Sequence, residues 1–361
     1  MPGVYISWPF CAQKCTYCNF ASGVFPRELE AAYTRRLEAE IDATAWPWTP
    51  ETVYLGGGTP SQMEPAVLAG ILGRIPGRNW SEATMEAAPG TFDEARIAAW
   101  RDLGINRVSL GVQSFNDAEL RRTGRKHTAD IVRRDVANLR AAGIDDFNID
   151  LIAGLAGQTP ASWESSLDQA LALDPPHVSV YMLEVDEDSR LGLEILNNGP
   201  RYGARDIPDD EAIAAMYERA AARLAAAGIP RYEISNFARP GCESRHNLKY
   251  WRLEPYLGFG ADAHSFAGGR RWQNVESPKD YTEAVSPRAS ESEPNPAEER
   301  FFVGLRLAEG VAPSPEEWAA HREPIERFLA AGLLEQAGPR IRLTPRGILL
   351  SNEVFQEFLA A

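Results

Sequence analysis

Three cysteines fall within eight residues near the start of the chain: Cys11, Cys15 and Cys18, in the string Cys-Ala-Gln-Lys-Cys-Thr-Tyr-Cys. A C-x3-C-x2-C spacing delivers three thiolates from one loop, whereas an iron–sulfur cube has four irons to ligate. The fourth iron is left open to a small chelating molecule, and chemistry is expected there. Lys14, between the first two cysteines, favours thiolate over thiol. The triplet alone also admits a zinc site completed by a distant histidine or by Cys242, although structural zinc more often takes two separated pairs of ligands. A second feature is Gly56-Gly57-Gly58-Thr59-Pro60, directly after the apolar stretch Val53–Leu55. Lacking Cβ atoms, these glycines let a ligand meet main-chain groups directly. The loop lacks the spacing and the Lys-Ser/Thr ending of a phosphate loop.

These residues need a scaffold, and the chain supplies one by alternation. Strands are expected near Val4–Ser7, Thr52–Gly56, Ala83–Ala87, Arg107–Gly111, Phe147–Ile152 and Val178–Tyr181. Amphipathic stretches at Arg27–Ala43, Ala66–Ile75, Asp93–Leu103, Asp130–Ala142 and Ser162–Leu173 separate them. Strand–helix alternation implies a parallel sheet with crossover helices. Six units fall short of the eight that close a full barrel, so an α/β fold is expected. Its form is a partial (β/α)6 TIM-like barrel, with a doubly wound sheet as the alternative. A helix near Asp209–Ala227 and an extended segment at Arg231–Phe237 continue the layer. Polar residues recur at the expected strand ends, Gly56, Glu86, Gln113, Asp150 and Tyr181, at separations of 30, 27, 37 and 31 residues. That is about one βα unit each, and such ends converge on one mouth.

Residues 286–298, rich in Ser, Pro and Glu, read as a linker between a core at 1–285 and a small C-terminal domain at 299–361. That domain is expected to be helical and winged-helix-like: helices near Arg300–Leu307 and Pro315–Ala331, a hairpin at Leu334–Leu343 and a last helix from Pro345. The formal charge of −14 argues against a nucleic-acid partner, which needs a basic face. No apolar run approaches the ~20 residues of a membrane span. The amino terminus has no basic stretch leading into an apolar one, and four cysteines in 361 residues suit a reducing cytoplasm.

The cysteine cluster after the first strand, with Gly-Gly-Gly-Thr-Pro after the second, resembles the radical S-adenosylmethionine (SAM) enzymes. In that superfamily SAM chelates the open iron of a [4Fe–4S] cluster, and the reduced cluster cleaves its sulfonium to a 5′-deoxyadenosyl radical. The likeness sharpens to the oxygen-independent coproporphyrinogen III oxidase-like family. It rests on Tyr5–Phe10, Glu86-Ala-Ala-Pro-Gly-Thr91, Gly111-Val-Gln-Ser-Phe115, Gly124-Arg-Lys-His127, Phe147–Ile152 and Tyr232–Phe237. The resemblance implies that Arg125 pairs with the SAM carboxylate, a contact suited to a guanidinium fork. It further implies that Gln113 and Asp150 hold the ribose hydroxyls, Glu86 meets the methionyl end, and Tyr5 lies beside the cluster. Gly57, Gly58 and Thr59 form the main-chain edge of that site. Ala88 and Ser7 depart from the family pattern without touching an implied ligand.

Two features separate the branches of this family. The oxidases resemble C-x3-C-x2-C-x-C with an amino-terminal extension; here Phe20 stands two residues past Cys18, and only ten residues precede Cys11. Both point to the haem chaperone branch, whose H-N-x-x-Y-W string is matched by His246-Asn-Leu-Lys-Tyr-Trp251. On this reading His246 is a candidate axial ligand to haem iron, Tyr250 and Trp251 stack on the macrocycle, and Arg245 and Arg252 meet its propionates. Cys242 reads as a buried thiol, His177 and His321 as structural or solvated, and Tyr17 and Phe20 as a shield over the cluster. His264, in Ala263-His-Ser-Phe266, belongs to a family-like stretch without an assigned role. The resemblance implies a chaperone that binds the cluster, SAM and haem and hands haem to acceptor haem proteins, respiratory ones among them. It admits a homodimer and at most peripheral membrane contact. The alternatives are a coproporphyrinogen III oxidase, which converts propionates to vinyl groups, and a zinc-stabilised binding module.

Overall fold

The computed structural model describes residues 2–359. Strands β1 (Gly3–Trp8), β2 (Thr52–Gly57), β3 (Glu82–Ala87), β4 (Arg107–Gln113), β5 (Asp146–Ala153) and β6 (His177–Met182) run parallel, each paired with the next. They are buried almost throughout, as expected where helices cover one face and a barrel interior the other. The crossover helices bury regular stripes: Tyr33, Leu37 and Ile41 on Arg27–Asp42, at i, i+4 and i+8. Their starts are fixed by side-chain caps. Asp93 and Thr128 accept from main-chain N–H groups of the first turn, and Thr159 and Ser162 form a capping box. Every expected strand and crossover helix is present, with ends shifted by a few residues at most.

Differences lie outside the six units. The extended stretch at Arg231–Phe237 folds back on itself, with the Tyr232 and Glu233 N–H groups both donating to the Asn236 carbonyl. Only β7 (Asn236–Ala238) is a strand, antiparallel to β6. On the other side, β8 (Tyr256–Phe259) pairs parallel to β1, and β9 (His264–Ala267), β10 (Arg270–Asn274) and β11 (Arg288–Ser292) extend the sheet antiparallel. The result is one open eleven-stranded sheet with its parallel part in the centre. Strand β11 falls inside the stretch expected as a linker. The helix expected over Pro315–Ala331 breaks at His321 into Pro315–Ala320 and Arg322–Ala330. The hairpin Leu334–Ala337 with Arg340–Leu343 forms as a separate two-stranded sheet, followed by helices from Pro345.

The β8–β11 extension is clamped onto the barrel by one carboxylate. Glu40, on the first crossover helix, accepts from the Gly260 N–H (3.0 Å), the Asn274 side-chain amide (2.7 Å) and the Tyr281 hydroxyl (2.5 Å). Beside it the Tyr33 hydroxyl donates to the Ser7 carbonyl at 2.9 Å and accepts from the Ala261 N–H at 2.8 Å. Gly260 has a φ of +96°, and a Cβ there would collide with the Tyr33 hydroxyl, so only glycine lets the turn cross the end of β1. Glu40→Ala is expected to lower the unfolding free energy by about 3 kcal/mol, roughly 1 kcal/mol per lost hydrogen bond, in urea denaturation. An unchanged denaturation midpoint would remove the clamp from the account.

Candidate functional site

The loop carrying the three thiols rises from β1 and is tied down at both flanks. The Cys11 N–H donates to the Gly23 carbonyl (2.8 Å), the Thr16 N–H to the Thr123 carbonyl (3.2 Å) and the Gln13 side chain to the Gly124 carbonyl (2.7 Å). These last two tethers fix the loop against the turn that presents Arg125. All three cysteines are free and half-buried. Among the described residues, no group of three or more His, Cys, Asp or Glu side chains is gathered tightly enough for a single metal ion. Cys242 is remote from the loop. It lines a charged cavity of about 660 Å³ with Asp145, Asp146, Asp174 and Arg239, at the strand end opposite the mouth. A zinc site completed by Cys242 is therefore not what the fold builds.

Each glycine of the triplet answers a packing demand. The Gly58 and Thr59 N–H groups donate to the Trp8 and Phe10 carbonyls at 2.8 and 2.9 Å. A Cβ on Gly58 would lie 2.7–2.8 Å from main-chain atoms of Trp8, Pro9 and Phe10, closer than real Cβ contacts come. Gly57 has a φ of +106° and donates its N–H to the Glu86 carboxylate at 3.1 Å. A Cβ on Gly56 would sit 2.9 Å from Glu86 Oε1. The sequence reading expected these glycines to leave ligand space. Instead they press the loop against the start of the cysteine loop and against Glu86, and the N–H groups of residues 57–59 are already engaged.

Glu86, at the end of β3, also accepts from the Tyr54 hydroxyl at 2.9 Å. Burial pushes its carboxyl up to about 7; the negative Asp150 adds to the rise, while the Tyr54 and Gly57 hydrogen bonds oppose it. Asp150, in the middle of β5, accepts from Asn148 (2.5 Å) and Ser109 (3.2 Å). Burial raises its pKa too, against those hydrogen bonds and that of Ser179. Tyr5 lies against Tyr54, ring centroids 6.1 Å apart, and Tyr181 stands half-exposed beside Asp150.

Gln113 ends β4 with a φ of +70° and a break in the β4–β5 register just before it. A buried non-glycine residue in the left-handed region is strained, and such strain clusters at functional sites. Gln113 Nε2 and the Arg125 guanidinium both crowd Gly111, within 3.1 and 3.6 Å of where its Cβ would be. Arg125 donates to the Tyr17 hydroxyl at 3.2 Å, while its Nε is buried with no partner. Burial works to lower the Arg125 pKa, but Tyr17 and Cys15 outweigh it and hold the guanidinium charged. The structure thus brings Cys11, Cys15, Cys18, Tyr5, Gly57, Gly58, Thr59, Glu86, Gln113, Arg125 and Asp150 to one mouth, which holds a guanidinium without a full set of acceptors and two raised carboxyls.

His246 is not part of that mouth. It is fully buried at the floor of the barrel, its Nδ1 bonded to the Thr52 hydroxyl and its Nε2 to the Tyr250 hydroxyl, both at 2.9 Å. With both nitrogens engaged, ligation of iron by this imidazole requires one of the two hydrogen bonds to break. Tyr250 and Trp251 are packed as well; the Arg306 guanidinium covers the Trp251 ring at 4.4 Å. Arg252 pairs with Glu309, and the Arg245 N–H donates to Glu82. Phe20 is 62% exposed and shields nothing. Two residues escaped the sequence reading: Tyr54, which bonds Glu86 and stacks on His246 at 5.3 Å, and Glu82, which accepts from the N–H groups of Arg245 and His246 and so seats their helix. A half-buried tyrosine inside a strand gives no period or motif to find it by.

Residues 5–170 match the Radical SAM superfamily and residues 292–350 the HemN C-terminal domain. The chain is 34% identical to the "Heme chaperone HemW" of Bacillus subtilis, over 99% of both sequences. It is 35% identical to that of Lactococcus lactis over 98% of this chain and 96% of the relative. In fold it matches the coproporphyrinogen III oxidase HemN of Escherichia coli, with a TM-score of 0.82 at 21% identity, over 99% of this chain and 89% of that one. The Tyr54–Glu86 pair gives the mouth a measurable signature. Tyr54→Phe removes a hydrogen bond to the carboxylate, so the Glu86 carboxyl, which titrates near 7, is expected to titrate higher by isotope-edited infrared spectroscopy. A fall on substitution would contradict the pairing.

Proposed function

The chain belongs to the HemW family of the radical SAM superfamily, and we propose that it is a haem chaperone that holds a [4Fe–4S] cluster and SAM at the barrel mouth. The observation that carries this is full-length similarity to HemW joined to a mouth whose own groups suit those cofactors. Three free thiols from one loop suit a cluster with one open iron. Arg125 Nε, buried without a partner, suits a carboxylate. When bound, the cluster supplies an electron to the sulfonium of SAM.

The chain's own residues do the rest. Arg125 binds the SAM carboxylate, fixed in place by Tyr17 and by the tether of the cysteine loop to residues 123–124. Glu86 would accept from the amino group of SAM, with Tyr54 and Gly57 orienting its oxygens. Asp150, held by Asn148 and Ser109, and Gln113 face the ribose hydroxyls. Tyr5 packs on Tyr54 and closes the side next to β8. In the cell the protein would act in the cytoplasm, as a monomer or homodimer, passing haem to acceptor haem proteins including respiratory ones. Among the described residues no helix is long and apolar enough to cross a membrane.

An anaerobic, reconstituted preparation tests this reading with two assays. Haem should bind and pass to an apo-haem protein, and coproporphyrinogen III with SAM should give no protoporphyrinogen IX. Vinyl product at enzymatic turnover would replace the chaperone by the oxidase. Cys15→Ala is expected to abolish the cluster's absorption and SAM cleavage. The ionised Glu86 carboxylate is the stronger acceptor for the N–H groups of SAM, so SAM affinity should rise with pH through about 7 and level off above it. Glu86→Gln should bind more weakly and with a flat profile; a wild-type profile in that variant would take Glu86 out of the site.

A further inference from the structure

The C-terminal region meets the barrel along the segment that leads into β7. There the Ala308 N–H donates to the Tyr232 carbonyl at 2.9 Å, and Glu233 bridges to Leu307. Beside these contacts the joint leaves a cavity of about 480 Å³, a volume typical of small-molecule sites. One wall comes from the core: Tyr217, on the helix Asp210–Ala226, and Arg231. The other comes from the C-terminal hairpin and the helix after it: Arg342, Leu343, Pro345 and Ile348.

Arg231 is the group that the fold leaves unanswered. Its guanidinium makes no hydrogen bond and no ion pair with any described residue. Burial pulls its pKa down, Tyr217 and Glu233 oppose the fall, and the charge of Arg342 adds to it. Glu233 is nevertheless engaged elsewhere: its Oε1 takes the Ser235 N–H at 2.9 Å and the Asn236 side-chain amide at 2.5 Å. The Tyr217 hydroxyl is engaged as well, donating to the Ile234 carbonyl. A cation drawn partly out of water without an acceptor is destabilising, and an incoming anion would remove that strain.

Arg342 lines the same cavity from the second strand of the hairpin. It bonds Glu335, its cross-strand neighbour, through Nε at 2.7 Å, and its two terminal nitrogens bond no described residue. Of the two carboxylates at the cavity, Glu335 is therefore engaged by Arg342, and Glu218 is exposed to water. Two like charges on one cavity repel, and an anion between them turns repulsion into attraction. Most of the remaining lining is apolar, with Leu343 and Ile348 buried and Tyr217 adding a ring.

We propose that this cavity is a binding site for a small amphipathic oxyanion, a carboxylate or phosphate on an apolar body, held between Arg231 and Arg342. A guanidinium fork matches either oxyanion. Leu343, Pro345 and Ile348 give the apolar body its wall. The ligand joins the barrel to the C-terminal region, because each supplies one of the two cations. The site is separate from the mouth: none of its residues belongs to the cysteine loop or to the strands that carry Glu86, Gln113 and Asp150. It stands independently of the haem-chaperone reading.

The test titrates octanoate and octyl phosphate into the anaerobically reconstituted full chain by isothermal titration calorimetry, with octanol as the uncharged control. At least one oxyanion is expected to bind and to raise the unfolding temperature, and the tighter of the two identifies the head group. Arg231→Met, which keeps the length and removes the charge, should weaken that binding about tenfold or more. Arg342→Gln, a change on the exposed hairpin, should weaken it too, and Arg231→Lys should recover part of the affinity. Because Arg231 has no partner to lose, Arg231→Met is expected to unfold at no lower temperature than the wild type, with cluster content unchanged. A lower unfolding temperature would reveal an internal partner and count against the site. Failure of both oxyanions to bind, wild-type affinity in Arg231→Met and Arg342→Gln, or octanol binding as tightly as octanoate would each overturn the proposal.

Discussion

The Glu86 carboxylate is the point on which the mouth depends. One oxygen takes the Tyr54 hydroxyl and the other the Gly57 N–H, so a single buried group joins the ends of β2 and β3 to the glycine loop. That loop in turn bonds through Gly58 and Thr59 to the stretch Trp8–Phe10, from which the cysteine loop departs. Displacing the carboxylate would therefore move the thiols as well as the carboxylate's own contacts. Burial without a cation beside it is what pushes the Glu86 carboxyl up to about 7. The site keeps an acceptor that is costly to charge until a positive partner arrives, a balance suited to a zwitterionic ligand.

The core architecture was legible because each of its elements announces itself locally. Runs such as Phe147–Ile152 set apolar residues between polar ones within a strand's length, and caps such as Asp93, Thr128 and Thr159 mark where helices begin. The phase of Glu86, Gln113 and Asp150 against the βα repeat was legible for the same reason, since parallel strands put their ends on one side. Strands β8–β11 were not. They are four or five residues long, interrupted by Gly258, Gly268 and Gly269, and β8 owes its place to pairing with β1, some 250 residues earlier in sequence. No local pattern records such a partner.

The glycine triplet and His246 show a different limit. Residue type was read correctly as special, but the reason lay in tertiary contacts. Gly58 is glycine because the Trp8–Phe10 main chain lies against it, and nothing within the loop's own sequence says so. His246 has the chemistry of a metal ligand, yet Glu82 at the start of β3 seats its helix on the barrel floor by taking the N–H groups of residues 245 and 246. Placement, more than residue type, decides which of these side chains can meet a ligand.

The His-Asn-x-x-Tyr-Trp string then has a physical role that needs no haem. Thr52 and Tyr250 hydroxyls can each donate or accept, so between them they satisfy a neutral imidazole completely. Burial, with Lys249 and Arg107 near, lowers the His246 pKa to about 3, and the ring stays neutral at any physiological pH. Its face supports Tyr54, whose hydroxyl reaches Glu86, so the floor and the mouth are joined by one stack of rings and one hydrogen bond. A charged or mobile residue at 246 would loosen Tyr54 from below and the Glu86 carboxylate with it. The string thus braces the cofactor site through the barrel interior.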